Sequence, residues 1–156
     1  MHIVLYKPDI PQNTAAIIRL GACLNLKVHI IEPCGFNLND SRYKKVVMDY
    51  EGLCEVFNYD DYDKFIEKHK NSRIVLMTTK AKKLYHDFKF KKNDMLLFGR
   101  ESAGVPENLH KTIKNKWGII RSRNEAFNQY NELVMSFTAD ILAEKDPEKL
   151  DSSHAI

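Results

Sequence analysis

The segment Phe98-Gly99-Arg100-Glu101-Ser102-Ala103-Gly104-Val105-Pro106 sets two glycines and a carboxylate directly after a short apolar run. A glycine at a strand end, and another five residues on, let backbone approach a ligand with no Cβ in the way. Glu101 between them is a carboxylate held at a strand end, and Pro106 opens the following helix. The same spacing also fits an ordinary loop with two turn glycines. Its order matches neither a dinucleotide fingerprint nor a phosphate loop with its lysine, which argues against NAD and ATP sites. A second loop, Tyr6-Lys7-Pro8-Asp9-Ile10-Pro11-Gln12-Asn13-Thr14, leads into a helix that carries Arg19. An arginine so placed could reach a phosphate or a developing alkoxide, or be a solvated helix-face residue. A third, Met77-Thr78-Thr79-Lys80, opens a lysine-rich stretch.

That stretch holds six lysines (Lys80, Lys82, Lys83, Lys89, Lys91, Lys92) interleaved with Tyr85, His86, Phe88 and Phe90. Cations for phosphates mixed with rings for stacking suit an RNA surface, although a solvated charged face has the same composition. Arg42, Lys44 and Lys45 form a smaller basic cluster. The net charge of +3 does not by itself point to nucleic acid; only these local clusters do. The histidines are scattered without metal-ligand spacing, so no metal is expected. Three cysteines, an odd number with no close pair, suit reduced thiols in a cytoplasmic protein. No apolar run reaches the roughly 18 residues of a membrane span. The first residues are strand-like, unlike a signal peptide.

These residues must be held by alternating short strands and helices. Strands are expected at Ile3–Tyr6, Val28–Ile31, Glu55–Tyr59, Ile74–Thr78, Met95–Phe98 and Trp117–Ile120, each rich in β-branched or aromatic residues. Helical spacing of apolar residues predicts helices over Asn13–Asn25, Asp60–Lys70, Pro106–Lys114 and Glu125 to Lys145. At 156 residues this is one α/β domain, a mostly parallel sheet with helices on both faces, over 1–146, followed by a polar tail, 147–156.

Together the motifs resemble the SpoU family of tRNA ribose 2′-O-methyltransferases, within the knotted SPOUT superfamily. The carriers are Ile3-Val4-Leu5-Tyr6, Ile10-Pro11-Gln12-Asn13-Thr14, Ile17-Ile18-Arg19-Leu20, His29-Ile30-Ile31-Glu32-Pro33 with Gly35-Phe36, Asp49-Tyr50, Thr78-Thr79-Lys80, and Phe98 to Pro106. They are most similar in layout to the short single-domain members that methylate the wobble nucleotide of certain tRNAs. The resemblance implies a deep C-terminal trefoil knot, S-adenosylmethionine as cofactor, a homodimer and a tRNA anticodon stem-loop as substrate. It implies catalytic roles for Arg19, Asn13 and Glu101. It implies cofactor contacts from Met77, Thr78, Gly99, Gly104, Ile119 and Asn128. RNA contacts would come from Lys80, Lys82, Lys83 and Arg42. The implied reaction is an in-line attack of a ribose 2′-oxygen on a sulfonium methyl, for which the protein supplies alignment and help with the hydroxyl proton.

The segment Ile119-Ile120-Arg121-Ser122-Arg123-Asn124-Glu125-Ala126-Phe127-Asn128-Gln129 departs from the family's third motif, keeping Ile119 and Asn128. Arg100 stands where the second motif usually has proline or a small residue. Because these changes fall in the cofactor loop, the alternative expectation is a non-catalytic RNA-binding relative with the same fold.

Overall fold

A computed structural model of the chain describes residues 1–47, 50, 52–81, 83–127 and 133–144, with backbone alone at 42, 46, 83 and 114–144. The described chain forms two compact units, Met1–Ser72 with Phe90–Pro106, and Arg73–Lys89 with the residues from Glu107 onward.

In the first unit, strands β1 (His2–Tyr6), β2 (Lys27–Ile31), β3 (Val56–Tyr59) and β6 (Met95–Phe98) lie in the order β3-β2-β1-β6. All their pairings are parallel, with Ile3 opposite Val28 and Leu96, and Leu5 opposite Ile30 and Phe98. Parallel strands covered on both faces must be apolar on both, and β1 is buried from Ile3 to Tyr6. Ile3 and Leu5 of β1 and Val28 and Ile30 of β2 point to one face, where Ile18 and Tyr43 complete the core. Ile18 comes from helix α1 (Pro11–Leu24) and Tyr43 from helix α2 (Ser41–Val47).

Proline at the first position of α1 has the helical φ built in and lacks only an N–H that would be unpaired there. Thr14, Ala15, Ile18 and Gly21 form its buried face. Asn25 ends it in the left-handed conformation, φ 52°, as a C-terminal cap. Helix α3 (Tyr62–Lys68) covers the opposite face of the sheet. Its Phe65 ring meets His29 at 6.0 Å and Tyr62 meets Tyr6 at 6.1 Å. Asp61 caps α3 by accepting from the Lys64 amide at 2.8 Å.

Behind α3 lies a hydrogen-bonded chain formed by residues far apart in sequence. His2 Nδ1 stands 2.9 Å from His29 Nε2. His29 Nδ1 stands 3.0 Å from the Tyr59 hydroxyl, which in turn is 2.9 Å from His69 Nε2. Burial holds His29 down to about 3, assisted by His2, His69, Lys27 and Lys68 around it. The unfolded chain therefore takes up a proton, between the ordinary histidine range near 6.5 and about 3, that the folded chain refuses. Stability present above the unfolded value is lost as pH falls through that window. Thermal unfolding of His29→Phe should lose about one proton of this acid slope, about 1.4 kcal/mol per pH unit. An unchanged slope would place the buried titration elsewhere.

The second unit holds β4 (Ile74–Met77), β5 (Lys83–Leu84), a short 3-10 turn at Tyr85–Asp87, helix α4 (Glu107–Lys116), β7 (Trp117–Phe127) and β8 (Leu133–Glu144). Its strands lie in the order β4-β8-β7-β5. Met77 pairs with Ile141 antiparallel, β7 pairs with β8 antiparallel, and Lys83 pairs with Ile120 in parallel.

The helix expected from Glu125 to Lys145 is corrected here: 117–127 and 133–144 are paired strands. Leu133, Met135, Phe137, Ala139, Ile141 and Ala143 also alternate with a period of two, and Val134, Thr138 and Ile141 are β-branched. The same residues satisfy both periodicities, and the long partner strand decides between them. The stretch to Phe127, expected to be a cofactor loop, is therefore strand. Helix α2 and strand β5 are elements the apolar spacing did not mark. The polar tail expected at 147–156 lies outside the described residues, as do 128–132 and 145–146 of the C-terminal part in which the knot is expected.

Candidate active site

Strands β1 and β6 run parallel and in register, Leu5 beside Phe98, so the loops that follow them leave the sheet side by side. β1 has β2 on one flank and β6 on the other. This is the switch point at which open α/β sheets bind ligands, beyond the carboxyl ends of their strands.

The β6 loop closes on itself. The Arg100 amide donates to the Gly104 carbonyl at 3.0 Å, and the Gly104 amide to the Arg100 carbonyl at 2.8 Å. Gly104 sits at φ 66°. A Cβ on Gly99 would lie 2.5 Å from the Gly104 carbonyl carbon and 2.7 Å from the Val105 nitrogen, so this approach admits only glycine. The expected use of Gly99 for close approach is thus met first by the turn itself.

Closure thrusts Glu101 outward, where it is exposed yet held at both oxygens. Oε2 accepts from the Asp9 amide at 2.7 Å, and Oε1 accepts from Asn13 Nδ2 at 3.2 Å. The structure thus brings together two of the three expected catalytic residues. Arg19 is not with them. Six positions along α1 from Asn13, it lies about 9 Å up the axis and about 120° around it. Its side chain is exposed, with the guanidinium carbon 6.0 Å from the centre of the Tyr50 ring. Among the described residues no carboxylate pairs with it.

Asp9 is the residue that sequence reasoning passed over. Its Oδ1 accepts from Arg100 Nε at 3.0 Å and also from Arg100 Nη2. Its Oδ2 accepts from the Ser102 hydroxyl at 2.5 Å and the Ser102 amide at 3.2 Å. The Arg100 guanidinium, then Ser102, pull its carboxyl down to about 2. Gly35, whose amide donates to the Pro8 carbonyl at 2.8 Å, backs the loop so closely that a Cβ there would lie 2.9 Å from Asp9 Cα. The available signal was an acidic residue in one switch-point loop and an arginine in the other. Arg100, which departs from the family pattern, finds its use in this pair.

The remaining expected residues belong to the second unit or to α2. Met77 ends β4 half-buried, and the Thr78 hydroxyl accepts from the Lys80 amide at 3.3 Å and lies 3.4 Å from His110 Nε2. Lys80 is exposed. Ile119 lies in β7 opposite Leu142, Lys83 in β5, and Arg42 in α2. Lys82 and Asn128 lie outside the described residues. Among the rings proposed to stack on RNA, Phe88 is engaged by Arg73, whose guanidinium carbon is 5.1 Å from its centre, while Tyr85 is exposed. Among the described residues no group of histidine, cysteine and carboxylate side chains is arranged to hold a metal ion, and no helix is long and apolar enough to cross a membrane. Cys23, Cys34 and Cys54 are free thiols.

These features make an α/β domain with a parallel sheet whose exposed, doubly held carboxylate lies where such sheets bind their ligands. Residues 1–131 match the SpoU rRNA Methylase family. A tRNA (cytidine(34)-2′-O)-methyltransferase of Ancylobacter novellus is 39% identical over 131 residues, covering 83% of this chain and 82% of that protein. A solved structure described as giving insight into 2-OH methylation of C/U34 on tRNA superposes with a TM-score of 0.65 at 33% identity, covering 69% of this chain and 72% of that one. The AdoMet-bound rRNA methyltransferase of Sinorhizobium meliloti shares the fold, with a TM-score of 0.62 at 18% identity over 70% of this chain and 43% of its own. The chain belongs to the SpoU methylase family.

Proposed function

We propose that the chain transfers a methyl group from S-adenosylmethionine to the ribose 2′-oxygen of the wobble nucleotide, cytidine or modified uridine, at position 34 of tRNA. The observation that carries this is the coincidence of the family match over 1–131 with a switch point where Asn13 and the Asp9 amide hold Glu101. The setting fits the cofactor. The turn offers open space beside its backbone at Gly104, where a Cβ would meet nothing within 4 Å, next to an exposed carboxylate suited to a cationic ligand. Gly99 and Gly104, with Met77, Thr78, Ile119 and Asn128 carried over from the family pattern, are the residues assigned to hold it. When bound, S-adenosylmethionine supplies an activated methyl on a positively charged sulfur.

The protein's own residues then align the ribose and manage its proton. Arg19 is assigned to anchor an RNA phosphate and stabilise the forming alkoxide, since guanidinium holds its protons too tightly to act as an easy base. A phosphate oxygen or water takes the proton. Glu101, oriented by Asn13, fixes the loop geometry around the reacting groups. The family's trefoil knot and homodimer, and work in the cytoplasm, belong to the same proposal.

Lys80, Lys82, Lys83 and Arg42 are assigned to the anticodon stem-loop. Reversing charge at Lys82 and Lys83 should weaken tRNA binding and reduce its salt slope by about two. Unchanged affinity and slope would make the stretch a solvated face. Calorimetry with S-adenosylmethionine tests the proposal against a fold-conserving RNA binder. Saturable binding is expected, and its absence at millimolar ligand would favour the non-catalytic alternative.

A further inference from the structure

We propose that Asp9 is a positioning residue for Glu101, locking the turn after β6 to the loop after β1 through Arg100 and Ser102. The inference rests on the methyl-transfer reading above for its catalytic consequence, but not for its geometry.

An isolated surface ion pair contributes little, so the case rests on how this one is built. Four donors converge on one carboxylate, two from a guanidinium fork and two from Ser102, and both oxygens are used. With Arg100 on Oδ1 and Ser102 on Oδ2, charge-assisted contacts to both oxygens fix the orientation of the carboxylate as well as its distance. The Asp9 side chain keeps only 17% of its exposure, and Gly35 backs it at a distance that forbids a Cβ. Residue 9 therefore has little room to move.

The same residue reaches Glu101 by a separate route, its main-chain amide, at 2.7 Å. Arg100 and Ser102, which the carboxylate grips, are the immediate neighbours of Glu101. Asp9 thus holds Glu101 from both sides: its side chain clamps the flanking residues and its backbone donates to the carboxylate between them. Asn13 adds the second contact to Glu101, so one of its two donors is the Asp9 amide, whose place is set by the grip of the Asp9 side chain on Arg100 and Ser102.

A positioning role predicts a pattern that a stabilising contact would not produce. Asp9→Asn keeps the shape, but its NH2 must face either Arg100 or Ser102, both donors. It should lower kcat about tenfold, with KM for tRNA changed about twofold or less. In a Glu101→Gln background, where the positioned charge is already gone, the same substitution should cost about twofold or less in kcat. Full activity of Asp9→Asn, or a loss that multiplies with that of Glu101→Gln, would overturn the inference.

Amide hydrogen exchange at residue 9 reads the geometry without any turnover. Arg100→Gln leaves Asp9 in place and should speed that exchange about tenfold or more, with global unfolding unchanged. Unchanged exchange at residue 9 overturns the inference even in an active enzyme. Lack of methyl transfer by the wild-type chain instead counts against the functional reading, and leaves the exchange result to decide the clamp. If Asp9→Asn fails to fold, kcat of Arg100→Gln alone and in the Glu101→Gln background takes its place in the cycle.

Discussion

Arg19→Ala is expected to slow methyl transfer about 10²–10³-fold while leaving the folded protein as stable as before. The two halves of that expectation come from different observations. Arg19 is exposed on α1, and its described contact is the edge of a cation–ring approach to Tyr50 at 6.0 Å, so its removal opens no cavity and strands no buried partner. Its proposed work lies in the transition state, where negative charge grows on the ribose oxygen and a fixed guanidinium is worth far more than in bulk water. Single-turnover rates at saturating tRNA, set beside tRNA affinity and a denaturation midpoint, separate these contributions. Arg19→Lys retains the charge but loses the planar fork, and should recover only part of the rate. Near-full activity of Arg19→Lys with unchanged tRNA affinity would sink the assignment.

Gly99→Ala should be the most damaging single methyl group in the described site. Its Cβ would sit 2.5 Å from the carbonyl carbon and 2.6 Å from the Cα of Gly104, and 2.7 Å from the Val105 nitrogen. Those are backbone atoms in a turn closed by two hydrogen bonds, and they cannot swing aside as a side-chain tip can. Opening the turn removes both bonds and carries Glu101 and Ser102 away from Asp9. A loss of about 3 kcal/mol in stability is expected, together with loss of cofactor binding.

Gly104→Ala is the informative control. A Cβ there meets nothing within 4 Å, but φ is 66°, so only the left-handed strain of about 1–2 kcal/mol applies. Denaturation midpoints should therefore fall in the order wild type, Gly104→Ala, Gly99→Ala. Equal stability of Gly99→Ala and wild type would mean that the turn is not built as described.

What was legible in the residues was the part governed by short-range pattern. The β-branched runs of β1 and β2, the apolar run of β6, the proline-opened α1, and the two-glycine loop all announce themselves within a few positions. The contacts that give the site its shape do not. Asp9 meets Arg100 across 91 positions and Ser102 across 93, and nothing local to Pro8-Asp9-Ile10 records that. Strand register creates the pairing, because Leu5 beside Phe98 fixes which loops emerge together. His2, His29 and His69 show the same effect: scattered in sequence, they join through Tyr59 into one hydrogen-bonded chain once β1, β2 and β3 align and α3, which His69 ends, packs beside them.

The helix expected from Glu125 failed for another reason. Residues 133–143 carry helical and alternating apolar patterns at once, and only a long partner strand resolves the ambiguity. Arg100, a departure from the family pattern, has a defined place opposite Asp9, which no comparison of motifs would have suggested.

The proposed activity is the transfer of a methyl group to one ribose hydroxyl. Its most direct test is nucleotide-resolution mapping of 2′-O-methyl groups on bulk tRNA, from cells lacking this activity, after incubation with the protein and isotopically labelled S-adenosylmethionine. Label confined to the ribose of nucleotide 34, on cytidine- or uridine-bearing anticodons, is the expected result. Label on a base or at other positions, or none with correctly folded protein, would contradict it.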